Sequence, residues 1–269
     1  MKSIDSLERL KSSDSGCKKP VGLDEVIKES LGVINEHIYR KFDLSGEYRK
    51  PMLLYSRLAR GGKTRTLLEL SNQLRDKLNI NCLSISFNGS SNYARLPDES
   101  EVEALYRVLV IQIIDHKKYK GGKIVPDISD WERLDDHIGT DPFVLLIDEM
   151  NALCFPIGSE VMKILKTYFL DKINRFLVVS SHTPLNLDDD NGVFRNSVIS
   201  KRPTTIVQLP FSNDLTKLRE MGPRCYNLNH KIVNYYGRIP SLLYAERESK
   251  DSSPAGRFYK YNWGGTSHN

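Results

Sequence analysis

The chain has 269 residues, 39% of them hydrophobic and 27% charged, and a mean hydropathy of -0.42, enough for the core of one sizeable domain or two small ones. Thirty-nine Lys and Arg against thirty-four Asp and Glu leave a net charge of +5, which suits an anionic ligand without requiring nucleic acid. Apolar runs such as FVLLI at 143–147 fall far short of the roughly 20 residues needed to cross a bilayer, so a membrane-spanning helix is excluded and no membrane partner is expected.

Residues 1–20 are polar, rich in Ser and Lys, and end at Pro20, which predicts a flexible leader with too little apolar surface to order itself. No apolar stretch follows its basic residues, so it does not read as a secretory signal, and an intracellular protein, cytoplasmic or nuclear, is expected. Cys17, Cys82, Cys154 and Cys225 are widely spaced and form no CxxC pair, which argues against both a zinc site and a disulfide framework. From Leu23 the apolar residues Val26, Ile27, Leu31, Ile34, Ile38 and Phe42 recur at the three- and four-residue steps of a first amphipathic helix.

After the turn-like LSGEYRKP, residues 52–55 read as a short strand and SRLARGGKT as a loop. Leu67, Leu68, Leu70, Leu74 and Leu78 then mark a second helix. A second strand is predicted over 80–87. Residues 101–114 contain VLVIQII, which would suit a strand, but their length and the acidic start DESEVEA predict a helix. The run at 143–147, bounded by Pro142 and the Asp148-Glu149 pair, has the character of a strand buried on both faces of a parallel sheet. A helix over 160–170, strands over 175–180 and 204–209, and helical segments around 226–236 and 240–247 follow. The last residues, 250–269, read as a flexible tail. This alternation predicts one domain over 21–249: α/β, three-layer α/β/α, with a mainly parallel five-stranded sheet and a short helical C-terminal part.

The chemistry starts where a strand enters a glycine loop that ends in Lys-Thr and opens a helix. There the backbone N–H groups of Arg60, Gly61 and Gly62 curl around phosphate, and the two glycines keep side chains out of the way. The helix N-terminus adds its positive end, Lys63 reaches the terminal phosphates, and the Thr64 hydroxyl ligates magnesium. The usual pattern has a glycine where this chain has Arg57. GGKT alone is a weak signal, since a plain glycine turn before a core helix also gives it. The strand before it, the amphipathic helix after it and FVLLIDE downstream argue together for a nucleotide site. Asp148, at the end of a central parallel strand, points into the crevice where such sheets bind ligands and is placed to hold magnesium through its water shell. Glu149 is placed to polarise an attacking water. The expected ligands are therefore a nucleotide and Mg2+, with ATP the nucleotide if the chain is an ATPase.

In FLVVSSH, Ser180, Ser181 and His182 fall at the end of a strand able to neighbour the Asp-Glu strand. A polar side chain there orients water against the terminal phosphate, and Ser181 is the chosen candidate; the competing reading is a Ser/Thr-rich turn before Pro184. Arg195, Arg202 and Arg238 are candidates for a charge-stabilising finger, in cis or from a neighbouring subunit, although each also reads as a surface residue.

With these residues in place the chain resembles P-loop ATPases in which the Walker B Asp is followed by a catalytic Glu, and within them the signal-transducing, AAA-like and STAND-like group. Its wording is closest to the ATPase module of Crinkler-type and retrotransposon-hot-spot proteins. The likeness is carried by SRLARGGKT, SISFNG, LLIDEMN, VVSSHT and YYGRIPSLL, from about Pro51 to Leu243. It implies that Lys63 and Thr64 bind phosphate and magnesium, Asp148 holds the metal, Glu149 activates water, and Ser181 or His182 senses the terminal phosphate. Residues 1–20 have no segment like the Crinkler translocation leader, and no nuclease-like domain follows the ATPase motifs, so a secreted effector is not expected.

The first expectation is an ATPase whose turnover resets a conformational switch, with output through a protein partner, self-association or its own change of shape. The second is a nucleotide-gated interaction module with little or no turnover. The third is a nucleic-acid-associated NTPase, from Lys117, Lys118, Tyr119, Lys120 and Lys123 around a Gly-Gly turn, a cluster that also reads as a solvated helix end. A GTPase is disfavoured because no NKxD-like motif follows the Asp-Glu strand.

Overall fold

In the computed structural model, which describes residues 23–40, 48–56, 62–87, 95–114, 125–153, 159–181, 204–209 and 219, the first apolar stripe folds as helix α1 (Asp24–Ile38), with Asp24 and Glu25 in its first turn and His37 in its last. This charge order complements the helix dipole. The stripe is interrupted by Ser30, which is buried, donates its one hydroxyl proton to the carbonyl of Val26 and accepts the Tyr55 hydroxyl at 2.6 Å. Strand β1 (Met52–Ser56) and helix α2 (Lys63–Leu78) follow. Next come strand β2 (Asn81–Ser86) and helix α3 (Glu101–Ile113). The strand-or-helix ambiguity at α3 is resolved by a capping box. Ser100 Oγ accepts the Glu103 N–H, and Glu103 accepts the Ser100 N–H at 2.6 Å, so two of the donors that a helix start leaves without partners are satisfied.

Helix α4 (Ile128–Ile138) has no counterpart among the sequence expectations. It is built on the same device with two aspartates: Asp127 Oδ1 accepts the Asp130 N–H, and Asp130 accepts that of Asp127. It buries only Trp131, Leu134 and Ile138, and Trp131 lies between Tyr106 and Tyr168, 4.9 and 5.6 Å away by ring centroids. Strand β3 (Phe143–Asp148) leads into the short helix α5 (Met150–Leu153). Helix α6 (Ser159–Leu165) runs on as one π-helical turn (Lys166–Leu170), so the helix expected over 160–170 changes its winding at the end. Strands β4 (Arg175–Ser181) and β5 (Thr204–Gln208) complete the sheet. The expected leader, tail and C-terminal helical segments lie outside the described residues, as do Cys17, Cys154 and Cys225.

All five strands are parallel, in the order β2-β3-β4-β1-β5. Helices α1 and α2 cover one face, where Leu53, Tyr55, Val144, Leu146, Phe176 and Val178 form the core with Ile34, Leu67, Leu70 and Leu74. Helices α3, α4, α5 and α6 cover the other, over Leu54, Leu145, Ile147, Leu177 and Val179. Strands β3 and β4 are buried along their whole length, as befits parallel strands sandwiched between helices.

Two buried cations close the N-terminal edge of this sheet. Lys50 donates to the carbonyls of Ile38, Lys172 and Arg175 at 3.3, 2.8 and 2.7 Å. Arg175 pairs with the Asp135 carboxylate and donates to the carbonyls of Tyr168, Asp135 and Gly139. Burial pulls the Arg175 pKa below its usual range, against the opposing pull of Asp135. The carbonyl ends of α1, α4 and the π-turn are thus satisfied by cations, as the negative end of a helix favours. Among the described residues no helix is long and apolar enough to cross a membrane.

Candidate functional site

The C-terminal edge of the sheet carries the polar residues. Gly62 precedes α2 with φ +89 and ψ +8, a left-handed conformation that strains any residue with a side chain. A Cβ there would meet nothing within 4 Å, so the requirement for glycine is conformational rather than steric. The carbonyl of Gly62 accepts both the N–H and the hydroxyl of Thr66, each at 2.9 Å, which fixes the first turn. Lys63 is buried although it is the first helical residue. Arg57, Arg60 and Gly61 lie outside the described residues.

Thr64, one residue further, donates its hydroxyl to Asp148 Oδ2 at 2.6 Å. The bond joins the start of α2 to the end of β3, across 84 residues of sequence. Ser86, which pairs in register with Asp148 from β2, places its hydroxyl 3.5 Å from the same oxygen. The other carboxylate oxygen, Oδ1, accepts the hydroxyl of Ser180 at 2.6 Å. Asp148 is buried at 4% exposure, so its carboxylate is held by hydroxyls from three elements in a site with little access to bulk water.

Glu149 follows with φ +53, in the left-handed region. Its N–H donates to Ser180 Oγ at 3.0 Å, and its carbonyl accepts the Ala152 N–H at 2.8 Å as α5 begins. The backbone therefore turns sharply off the strand at this residue. In β4, Ser180 pairs with Tyr55 and Ser181 with Ser56. Successive strand residues alternate between faces, so Ser180 shares the Asp148 face while Ser181 is turned toward the layer of α3 and α6. Both serines are fully buried. The strand end singled out from the sequence lies beside Asp148, but the contact with its carboxylate is made by Ser180 rather than Ser181, and Ser86 went unmarked within SISFNG. His182, Arg195, Arg202 and Arg238 lie outside the described residues, as do the lysines at 117–123.

A hard, oxygen-preferring divalent cation fits this donor set. A hydroxyl and a carboxylate oxygen lie 2.6 Å apart beside the N-terminus of α2, the oxygen chemistry that magnesium takes while keeping much of its water shell.

No protein-family model matches the chain, and no curated protein matches it. Solved structures do. The ORC1 protein of Aeropyrum pernix in complex with DNA gives a TM-score of 0.50 at 13% identity, over 90% of this chain and 65% of that one. Cdc6p from Pyrobaculum aerophilum gives 0.48 at 14%, over 77% and 50%. The Thermotoga maritima RuvB Holliday junction branch migration motor gives 0.43 at 15%, over 85% and 61%. The chain therefore spans between half and two thirds of the length of each, and at 13% identity the likeness to the Aeropyrum pernix protein is one of fold. With a parallel five-stranded sheet between two helical layers, a left-handed glycine at the start of α2 and Asp148 at the end of β3, the chain has the P-loop NTPase fold.

Proposed function

We propose that the chain binds ATP with magnesium at the C-terminal edge of its sheet, hydrolyses it, and works as a nucleotide-driven switch like the Crinkler-type and retrotransposon-hot-spot modules its motifs resemble. The observation that supports this best is the 2.6 Å bond between Thr64 and Asp148, because it sets a hydroxyl from the first turn of the glycine-led helix against a buried carboxylate at a strand end, the oxygen pair a magnesium-phosphate site uses.

In this reading the N–H groups of Arg60, Gly61 and Gly62 and the N-terminus of α2 hold the phosphates, and the Lys63 ammonium reaches the terminal ones. Thr64 Oγ1 and Asp148 would hold the metal. Magnesium, when bound, neutralises charge on the terminal phosphate oxygens. The Glu149 carboxylate takes a proton from the attacking water. Ser181, facing the other layer, would influence the terminal phosphate through packing of the strand end rather than through Asp148. Output passes through a protein partner, through self-association or through the domain's own change of shape.

The test is direct. ATP and magnesium at a hundredfold excess over the dissociation constant should stabilise the fold by about 2.7 kcal/mol, roughly 5 to 10 °C in Tm, and Lys63→Ala should remove that shift. A wild type whose Tm ignores ATP would end the proposal. Glu149→Gln should retain binding and release phosphate at least ~100-fold more slowly; equal release by the two proteins would leave a nucleotide-gated interaction module without catalysis by Glu149. A nucleic-acid role predicts steeply salt-dependent DNA or RNA binding that disappears when the lysines at 117, 118, 120 and 123 are neutralised.

A further inference from the structure

We infer that Ser180 is a positioning residue that holds Asp148 and Glu149 in register with each other; the inference rests on the magnesium-nucleotide reading given above. Its hydroxyl has one proton and two lone pairs. The proton goes to Asp148 Oδ1 at 2.6 Å, and a lone pair receives the Glu149 N–H at 3.0 Å. Ser180 is fully buried between β1 and β3 in the sheet, so no bulk water substitutes for it.

Each bond fixes something different. Asp148 Oδ2 is shared by Thr64 and, at longer range, Ser86, which leaves Oδ1 anchored by Ser180. With that oxygen tied, rotation of the carboxylate is blocked and Oδ2 stays aimed at the mouth of α2. The Glu149 N–H bond acts on the backbone. A side-chain-bearing residue enters the left-handed region against its intrinsic preference, and Glu149, at φ +53, is kept there by Ser180 on its N–H and by the first turn of α5 on its carbonyl. That dihedral sets the direction in which the Glu149 side chain leaves the strand. One hydroxyl therefore orients both the carboxylate meant for the cation and the residue meant for the water. Ser181 faces the other layer and is on the wrong side of the strand for either bond.

Partners that orient a metal-binding carboxylate typically change metal affinity by 10- to 100-fold when removed. Using the full chain, ATP binding is titrated against magnesium for the wild type, Ser180→Ala, Ser180→Cys and Ser180→Thr, and amide exchange at Glu149 is followed by NMR without nucleotide. Ser180→Ala should raise the magnesium midpoint about tenfold or more and speed exchange of the Glu149 amide. Ser180→Thr, which keeps the hydroxyl, should restore both. Ser180→Cys, close to serine in size but a weak hydrogen-bonding group, should behave like alanine without opening a cavity, and it carries the test if the alanine variant does not fold. A purely structural role would lower Tm while leaving the magnesium midpoint where it was. If both midpoint and exchange match the wild type in the Ala and Cys variants, Ser180 has no positioning role. A wild type that binds no ATP at any magnesium concentration overturns the nucleotide reading itself, and the cation half of this inference with it, a result distinct from an unshifted midpoint.

Discussion

Asp148 accepts hydroxyl protons on both of its oxygens, from Thr64 and from Ser180, and this decides what a change at one atom does. In Asp148→Asn one oxygen becomes an NH2 group, a donor facing a donor, so either the Thr64 or the Ser180 hydroxyl must turn away. The isosteric amide fits the same space. The expected outcome is a folded protein in which ATP binding no longer strengthens with magnesium, measured by calorimetry with and without EDTA; an undiminished magnesium effect would remove Asp148 from the metal site. Which serine of VVSS meets Asp148 could not be read from the sequence. In a strand with one wet face, alternation of polar and apolar residues tells which side each residue takes, but β4 is buried throughout, and both faces therefore look alike. That Thr64 and Asp148 would meet was legible because a strand-loop-helix read as a phosphate and cation site calls for a hydroxyl and a carboxylate at those two places.

At the scale of the elements, capping explains both what was legible and what was not. Helix α3 announced itself through its acidic start, while α4 was hidden because it buries few residues and is capped by Asp127 and Asp130 rather than by a Ser/Thr with Glu. The start of α3 also carries a buried ion pair, Glu99 with Arg107, at 2.6 and 2.8 Å. Burial alone would raise the Glu99 pKa, but the Arg107 bonds and the Leu96 N–H together hold it below the usual carboxylate value. A folded-state pKa below the unfolded one means that this stabilisation is complete above about pH 4.3 and is lost as pH falls through the folded value. Glu99→Gln should therefore cost about 3 kcal/mol near pH 7 and flatten the acid limb of stability against pH. Urea unfolding between pH 3 and 7 measures both; parallel profiles for the two proteins would refute the linkage. At the opposite edge, Lys50→Met withdraws the donor from three carbonyls, at roughly 1 kcal/mol or more each, and should lower Tm by about 6 to 12 °C.

For the whole molecule, the sequence supplied five parallel strands between helices but not their order. Strand order depends on which edges pair, and apolar runs buried on both faces carry no label for their neighbours. The order found puts β4 between β1 and β3, which is why a serine from β4 sits within reach of Asp148. It also predicts a gradient of local stability. Amides of β1, β3 and β4, paired on both sides, should exchange slowest, near the limit set by global unfolding, and those of the edge strands β2 and β5 faster. Exchange as slow in β5 as in β3 would mean that another segment covers that edge.

The bond between Thr64 and Asp148 makes the thickness of one layer a chemical variable. Thr64 rides on α2 and Asp148 on β3, and Leu67 and Leu70 of α2 share one buried core with Leu146 of β3 and Tyr55 of β1. Those four side chains bear on how far the hydroxyl stands from the carboxylate, and the one polar atom among them, the Tyr55 hydroxyl, is taken up by Ser30 on α1. Close-packed interiors transmit a change of even one methylene, so a substitution deep in this hydrocarbon layer should shift the spacing of Thr64 and Asp148 and, with it, the proposed cation site.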